Sequence, residues 1–323
     1  MKKIKVGVIG VGRVGYFHAH NYKHIPAVNL TGVCDILPQK AKKAARETNC
    51  TPFLNFTQMF EKVDAVSIAV PTIWHYKIAK EFLRRKIHVL VEKPITKTVT
   101  HAAALLALAQ RNGCILQVGH IERFNSAFQA VQSMISAPRF IECHRLGPFD
   151  PRVKDIGVVL DLMIHDIDII LGLIKSRIKN IAAVGVNVLT NQEDIANARV
   201  VFENNTICNL TASRLTQETM RKIRIFTQDA YISLDYVSQQ AVIYRKINHM
   251  IYKQKLNIKK ENPLKAELLS FINSIKTKKP PMVSGREALE ALKIALKITR
   301  KINSPSRKQR GNLYTDRPKS YPT

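Results

Sequence analysis

The chain has 323 residues, which is enough for two domains with separate cores, and its composition is that of an ordinary globular protein. Its formal net charge is +27, but the lysines are spread out, with modest clusters only at 40–46, 253–260 and 276–279, so nucleic acid is not the expected partner. No apolar run is long enough to span a membrane, and glycines break the apolar N-terminal stretch, which argues against a signal peptide.

The first 120 residues alternate between short apolar runs and helix-like stretches. The predicted strands are Ile4–Gly10, Val28–Asp35, Ala65–Val70, Val89–Glu92 and Ile115–Gly119. The predicted helices between them include 38–48, 74–86 and 99–112. Because apolar strands that alternate with helices form parallel sheets covered on both faces, residues 1–121 are predicted to be an α/β domain.

A G-x-G-x-x-G motif at residues 10–15 follows the first strand and opens a helix. In that context the first glycine allows a tight turn, the second lets the backbone approach a pyrophosphate, and the third permits close helix packing. An acid ends the second strand about 20 residues further on, where it can bind an adenosine ribose and repel a 2′-phosphate. The motif predicts a Rossmann domain that binds NAD in preference to NADP. The predicted contacts are Gly10, Gly12, Arg13, Val14, Gly15 and Asp35.

After Gly119 the pattern changes to consecutive strands. Helices at 124–136 and 159–174 flank a strand at 139–146, and helices at 264–277 and 285–302 close the domain. The strands in between are predicted at 178–189, 196–203, 206–214, 221–227, 230–236 and 240–245, with a hairpin turn at Asn204-Asn205. Residues 122–302 are therefore predicted to be an α+β domain with a mainly antiparallel open sheet. The remaining residues, 303–323, form a basic tail with the composition of a disordered segment.

The apolar run at 160–171 carries ionisable residues, which are costly to bury without partners or a role. Asp161 and His165 are four residues apart and share one face of a helix, an arrangement suited to proton transfer. The alternative is a capping aspartate beside a hydrogen-bonded core histidine. Asp166 and Asp168 are interpreted as interface or capping groups.

Several histidines and cysteines are expected to have no chemical role. His18 and His20 follow the glycine loop and are interpreted as packing or surface residues. The five cysteines are scattered and include no CxxC pair, which fits reduced thiols and a cytoplasmic location. No set of histidines, cysteines and carboxylates has the spacing of metal ligands, so no metal is expected.

Three further segments extend the pattern beyond the glycine motif: AVPTIWHY at 69–76, VEKPIT at 91–96 and DLMIH at 161–165. Together with the closing helices PLKAELLSF and GREALEALKIA, they make the chain resemble the Gfo/Idh/MocA oxidoreductases up to about residue 302. The resemblance implies an NAD-dependent dehydrogenase. It also implies that Pro71, Thr72, His75, Glu92 and Lys93 lie near the nicotinamide.

The same resemblance implies roles for the catalytic residues. His165 takes the hydroxyl proton, Lys93 hydrogen-bonds the reacting oxygen, and Asp161 positions a sugar hydroxyl or tunes His165. A cis peptide bond before Pro94 is common in the family. Copies of such chains often pair through their open sheets, so a homo-oligomer, a dimer or tetramer, is expected.

The stretch VGHIERFNSAF at 118–128 resembles the branch of the family that acts on UDP-N-acetylglucosamine and related UDP-sugars at C3. It departs from that branch at Ser126, where a proline is usual. His120, Arg123, Asn125 and Asp161 are the predicted substrate contacts, although Arg123 and Asn125 could instead bind backbone at the domain junction. Two other functions stay open: a dehydrogenase of inositol or a free sugar, and a nucleotide-binding regulatory protein without turnover.

Overall fold

The computed structural model describes residues 2–153, 156–248 and 250–304. Its first sheet has six parallel strands in the order β3-β2-β1-β4-β5-β6. The strands are β1 (Ile4–Ile9), β2 (Val28–Cys34), β3 (Thr51–Phe53), β4 (Ala65–Ile68), β5 (His88–Glu92) and β6 (Leu116–Gly119). The helices are α1 (Arg13–Lys23), α2 (Pro38–Thr48), α3 (His75–Arg84) and α4 (Val99–Arg111). The predicted Rossmann architecture is confirmed.

The order of these strands places a cleft where ligands bind in such sheets. The chain reverses direction across the sheet between β1 and β4, and open parallel sheets bind ligands at the carboxyl ends of strands at this point. Strand β3 was absent from the prediction because it has three residues and contains Pro52, so it carries little strand signal. The other strands are apolar because both of their faces are covered.

The second sheet has eight strands in the order β14-β13-β12-β11-β7-β10-β9-β8. They are β7 (Phe140–Leu146), β8 (Ile178–Val186), β9 (Ile195–Phe202), β10 (Ile207–Ser213), β11 (Met220–Phe226), β12 (Ala230–Asp235), β13 (Gln240–Ile247) and β14 (Met250–Lys255). Every pair is antiparallel except β7 with β10, which confirms the predicted mainly antiparallel sheet. The predicted turn is also present, since Asn205 has a φ of 64° between β9 and β10. Strand β14 was not predicted because all of its residues are exposed and lack alternation.

Helices cover one face of this sheet. They are α5 (Ser126–Gln132), α6 (Ile164–Leu173) and α8 (Gly285–Asn303), and a π-helical segment (Val159–Met163) leads directly into α6. Helix α6 packs against α8, and α8 also contacts β8. Inward residues of β7 and β11 such as Ile141 and Ile223 are buried in the same core. The second domain therefore presents one face of its sheet to helices and the other outward.

Helix α7 (Pro263–Thr277) belongs to the second half of the sequence but packs on the first domain. Its Leu268, Phe271 and Ile272 share a buried cluster with Ala19 and Tyr22 of α1. The predicted boundary at 122 therefore leaves out one helix that covers the Rossmann sheet.

The C-terminal part of the chain is described only through residue 304. Helix α8 ends at Asn303, and the rest of the predicted basic tail lies outside the described residues. Within the described ranges, no helix is both long and apolar enough to cross a membrane.

Candidate active site

The glycine motif forms a cradle between β1 and α1. Gly10 has a φ of +82°, which favours glycine, and its N–H donates to the carbonyl of Cys34. A side chain at Gly15 would collide with the backbone carbonyl of Gly10, so only glycine lets α1 approach the sheet this closely. A side chain at Gly12 would meet no protein atom within 4 Å, so its face is open to a ligand. The cradle therefore fits a dinucleotide pyrophosphate at the N-terminus of α1.

Asp35 lies directly beside this cradle. Its Oδ2 accepts the backbone N–H of Val11 at 3.0 Å, and its Oδ1 accepts that of Leu37 at 2.9 Å. Apolar side chains stay exposed nearby, with Ile36 at 85% and Val14 at 45%. Exposed apolar groups around a polar cradle are typical of a binding site for an aromatic base. Arg13 is exposed in the first turn of α1.

The loop after β4 is tied to the loop after β5 by His75. This histidine is 1% exposed, and its Nδ1 and Nε2 lie 2.9 and 2.8 Å from the carbonyl oxygens of Pro94 and Val70. Pro71 and Thr72 remain at least partly accessible at the carboxyl end of β4. His75 therefore holds these two loops together behind the predicted nicotinamide side of the site, with both ring nitrogens already occupied by backbone. The Lys93–Pro94 peptide is cis, as the family resemblance implies.

Lys93 and Asp161 meet across the two domains. The Lys93 Nζ donates to Asp161 Oδ1 at 2.8 Å and to the Asp161 backbone carbonyl at 2.6 Å. Asp161 lies in the π-helical segment, a rare conformation that often marks functional sites. Among the described residues Asp161 has no hydrogen bond to His165, so its partner in this structure is the lysine.

His165 and His120 lie together at the same cleft. Their ring centroids are 6.0 Å apart in an edge-to-face arrangement, and both side chains are buried. His165 Nδ1 and both ring nitrogens of His120 have no hydrogen-bond partner within the described part of the chain. Burial, reinforced by the positive charges of Lys93 and Arg145, holds the pKa of His165 well below its usual range. A neutral imidazole is therefore available to accept a proton at neutral pH.

Buried ion pairs hold the helix that carries His165. Arg145 of β7 donates to Asp166 at 2.8 and 3.1 Å and to Glu122 at 2.7 Å. Arg123 donates to Asp168 at 2.6 Å. Asp166 and Asp168 thus anchor α6 through buried ion pairs, Asp168 with a residue of the domain junction, and neither side chain caps this helix.

Arg123 and Asn125 point their polar groups into the protein. The Arg123 guanidinium is bound to Asp168, and Asn125 caps α5 by accepting the Ala127 N–H at 3.1 Å. The Asn125 amide also donates to the Tyr236 carbonyl at 3.0 Å. These contacts match the alternative role at the domain junction. Ser126, where the related branch has proline, uses its hydroxyl to accept the N–H of Glu261 at 3.1 Å.

Arg221 is a cleft residue that sequence reasoning missed. It lies directly opposite Arg145 in the β11–β7 register, on the same side of the sheet as Ile223, and it is exposed. Its positive charge is close enough to interact electrostatically with both His165 and Asp161. The signal was present in the strand itself, because the buried alternation of Ile223 and Ile225 places an arginine at the next inward position.

His18 also belongs to a buried group rather than to simple packing. Ligand atoms of His18, Glu92 and Glu267 all lie within 4.8 Å of one another, next to Lys93. In the described ranges this is the one trio of histidine and carboxyl groups close enough to share a cation. Glu267 had no signal in the sequence beyond its position on an apolar helix face.

Both domains match models of one protein family. Residues 4–120 match the family model described as an oxidoreductase family with an NAD-binding Rossmann fold, and residues 129–233 match the GFO/IDH/MocA C-terminal domain. UDP-N-acetylglucosamine 3-dehydrogenase of Acidithiobacillus ferrooxidans is 37% identical over 305 residues, which is 92% of this chain and 97% of the relative. Myo-inositol 2-dehydrogenase of Thermotoga maritima is 25% identical over 315 residues, with 90% and 93% covered.

Solved structures agree with these matches. The structure of the Acidithiobacillus ferrooxidans enzyme has a TM-score of 0.88 and covers 94% of this chain and 98% of its own. The fold is shared by scyllo-inositol dehydrogenase from Lactobacillus casei with bound NAD(H) and scyllo-inositol, at 21% identity and a TM-score of 0.78, covering 93% and 97%. The chain belongs to the Gfo/Idh/MocA family of oxidoreductases and is a dehydrogenase that acts on CH–OH groups.

Proposed function

We propose that this dehydrogenase uses NAD to oxidise the C3 hydroxyl of UDP-N-acetylglucosamine, or of a related UDP-sugar, to the 3-keto sugar. The observation that carries the proposal is the meeting of Lys93, Asp161 and His165 in one cleft, in a chain 37% identical to a UDP-N-acetylglucosamine 3-dehydrogenase. This choice of substrate rests on similarity that extends over 92% of the chain.

Each of these three residues has a separate part in the proposed reaction. His165, neutral because of burial, accepts the proton of the sugar hydroxyl. Lys93 donates a hydrogen bond to the same oxygen, where negative charge develops, and Asp161 holds the Lys93 ammonium in place. When bound, NAD supplies the acceptor for the hydride. Glu92 and Lys93 are the proposed contacts on the nicotinamide side, with Pro71 and Thr72.

NAD is the proposed cofactor in preference to NADP because of Asp35. Its carboxylate is fixed at the end of β2 by two backbone N–H groups, where a 2′-phosphate would meet a negative charge. Three nearby lysines reduce this preference without reversing it; they are Lys40, Lys42 and Lys43.

We assign the anionic part of the substrate to Arg221 rather than to Arg123. Arg221 is an exposed guanidinium in the cleft, whereas Arg123 is already paired with Asp168. A guanidinium suits a diphosphate because it can donate two parallel hydrogen bonds. His120 and Asp161 complete the proposed substrate contacts, and Asn125 is left to its capping role.

The proposal includes a homo-oligomer, a dimer or tetramer, formed through the outward face of the second sheet. Four aromatic rings lie in a row on this face, from Phe140 through Phe226 and Tyr231 to Tyr244, and the last three are stacked. Light scattering of the purified protein measures the oligomeric state. A cytoplasmic location and the absence of a nucleic-acid partner remain part of the same proposal.

The test is incubation of purified protein with NAD or NADP and a panel of UDP-sugars, inositols and free sugars. Absorbance of the reduced cofactor is followed, and mass detection of the keto product guards against a reaction that stalls at equilibrium. We expect turnover with UDP-N-acetylglucosamine and NAD. In Arg221→Gln, KM for the UDP-sugar should rise roughly 10-fold or more while the Kd for NAD stays unchanged. Turnover with an inositol and none with any UDP-sugar would reject the proposed substrate.

A further inference from the structure

Three ionisable side chains from three elements form a buried cluster beside Lys93. They are His18 of α1, Glu92 at the end of β5, and Glu267 of α7. His18 and Glu267 are fully buried, and His18 Nε2 lies 3.0 Å from Glu92 Oε1. The cluster therefore joins the cofactor cradle, the end of the strand that precedes Lys93, and the helix that covers the first domain.

Glu92 is surrounded by groups that favour its ionised form. Burial alone would raise its pKa, but the hydrogen bond to His18 and the charges of neighbouring groups, including Lys93, hold it below the usual range. Its Oε2 also accepts the backbone N–H of Lys93 at 3.3 Å. A carboxylate with such donors is stabilised in its charged form.

Glu267 has the opposite environment. Neither of its carboxyl oxygens has a hydrogen-bond partner among the described residues, and the residue is fully buried. Burial raises its pKa well above the usual range, and the nearby charge of Glu92 adds to the effect. Two carboxyl groups this close inside a protein do not both ionise readily, and the lack of hydrogen-bond donors around Glu267 favours the proton on that residue.

We propose that Glu267 is a neutral buried acid that donates a hydrogen bond toward the ionised Glu92 and thereby positions the strand end carrying Lys93. A carboxyl oxygen of Glu267 lies within 4.8 Å of one of Glu92. A small side-chain rotation or one bridging water would close this distance. The backbone of Glu267 is itself fixed, because its carbonyl accepts the Gln117 amide at 3.0 Å. Glu267 is a positioning residue, and the inference rests on the role proposed for Lys93.

Turnover should depend on the proton of Glu267 at alkaline pH. The ionisable groups around Glu92 and Glu267 are His18 and Tyr22 on α1, His75 on α3, Lys93 after β5 and His120 after β6. Loss of the Glu267 proton would place a second negative charge against Glu92 and break their hydrogen bond. Turnover is therefore expected to fall as the pH rises through the ionisation of Glu267.

The experiment compares Glu267→Gln and Glu267→Leu with the wild-type chain over a range of pH. Glutamine keeps a neutral donor that cannot ionise, so kcat at neutral pH should stay close to wild type and the alkaline loss should disappear. Leucine removes the donor, and we expect kcat to fall roughly 10- to 100-fold with unchanged thermal midpoint. An alkaline loss that persists in the glutamine variant, or full activity of the leucine variant, would overturn the proposal.

Two measurements do not depend on turnover. Infrared spectroscopy of the wild-type protein should show the carbonyl stretch of a protonated carboxylic acid, and this band should vanish in Glu267→Gln. An equimolar divalent metal in the purified protein that is lost in Glu267→Gln would overturn the proposal in favour of a bound cation. If Lys93→Met keeps full turnover, the role of Lys93 fails, and the infrared band still decides the state of Glu267.

Discussion

The ammonium of Lys93 lies 2.8 Å from a carboxylate oxygen of Asp161, although 68 residues separate the two in the chain. Lys93 directly follows strand β5 of the first domain, and Asp161 lies in the π-helical segment that leads into α6 of the second. The pair therefore joins the two domains across the cleft. It also fixes the direction of a positive charge that would otherwise be free to move on a flexible stem.

Replacing Lys93 with methionine should reduce kcat by roughly 10²- to 10⁴-fold, because the reacting oxygen loses its charged donor. Asp161→Asn should have a smaller effect, since the backbone carbonyl of residue 161 still accepts from Lys93. Steady-state kinetics measure kcat of both variants, and the Kd for NAD shows whether cofactor binding is intact. A Lys93→Met enzyme with wild-type kcat would show that the lysine has no part in the chemistry.

The acidic limb of the pH profile should report His165. Only the neutral ring accepts a proton, and burial lowers the pKa of His165 well below the ordinary value of about 6.5. The active form is therefore retained at neutral pH and lost as the pH falls through the lowered pKa. The measurement is kcat/KM from acidic to neutral pH. An acidic limb centred at or above pH 6.5 would contradict it, and His165→Ala should abolish turnover while NAD still binds.

Two glycines of the cradle should respond differently to the same substitution. Gly12→Ala adds a methyl group to open space on the ligand side, so folding stays intact while the Kd for NAD rises roughly 10-fold or more. Gly15→Ala forces a methyl group against the Gly10 carbonyl and should destabilise the protein by about 1–3 kcal/mol. Calorimetric titration and urea unfolding separate the effects. Equal loss of stability in both variants would reject this account.

The buried arginine that holds α6 should matter far more for stability than an exposed one. Arg145→Ala leaves Asp166 and Glu122 buried without their partner, and we expect a loss of about 3–5 kcal/mol in the free energy of unfolding. Arg84→Ala breaks a pair with Glu81 whose arginine is half exposed, so the loss should stay below about 1 kcal/mol. Urea unfolding measures both. Similar losses would mean that Arg145 is not an anchor.

The cradle was predictable because its chemistry lies in one short segment. Gly10, Gly12 and Gly15 combine a turn, an open face and a close packing contact, and these requirements act on neighbouring residues. The catalytic residues came from the family resemblance, which ties distant motifs together. The partner of each residue was harder to predict, because partners are set by packing between domains.

Arg123 and Asn125 illustrate this limit. Their residue types suit a substrate contact as well as a structural one. Only the position of α6 shows that the Arg123 guanidinium is already paired with Asp168. The π-helical segment before α6 is another case, because its apolar pattern reads like an ordinary helix. Arg145 and Arg221 could have been found from strand alternation, since each is charged where its strand faces inward.

Helix α7 has a consequence for how the chain is made. The apolar surface that α7 covers on the first domain is synthesised early, but α7 begins only at Pro263. A growing chain therefore exposes Ala19 and Tyr22 of α1 to water until the whole second sheet has left the ribosome. The emergence of α7, rather than of the first 121 residues, is therefore the event that completes the core of the first domain.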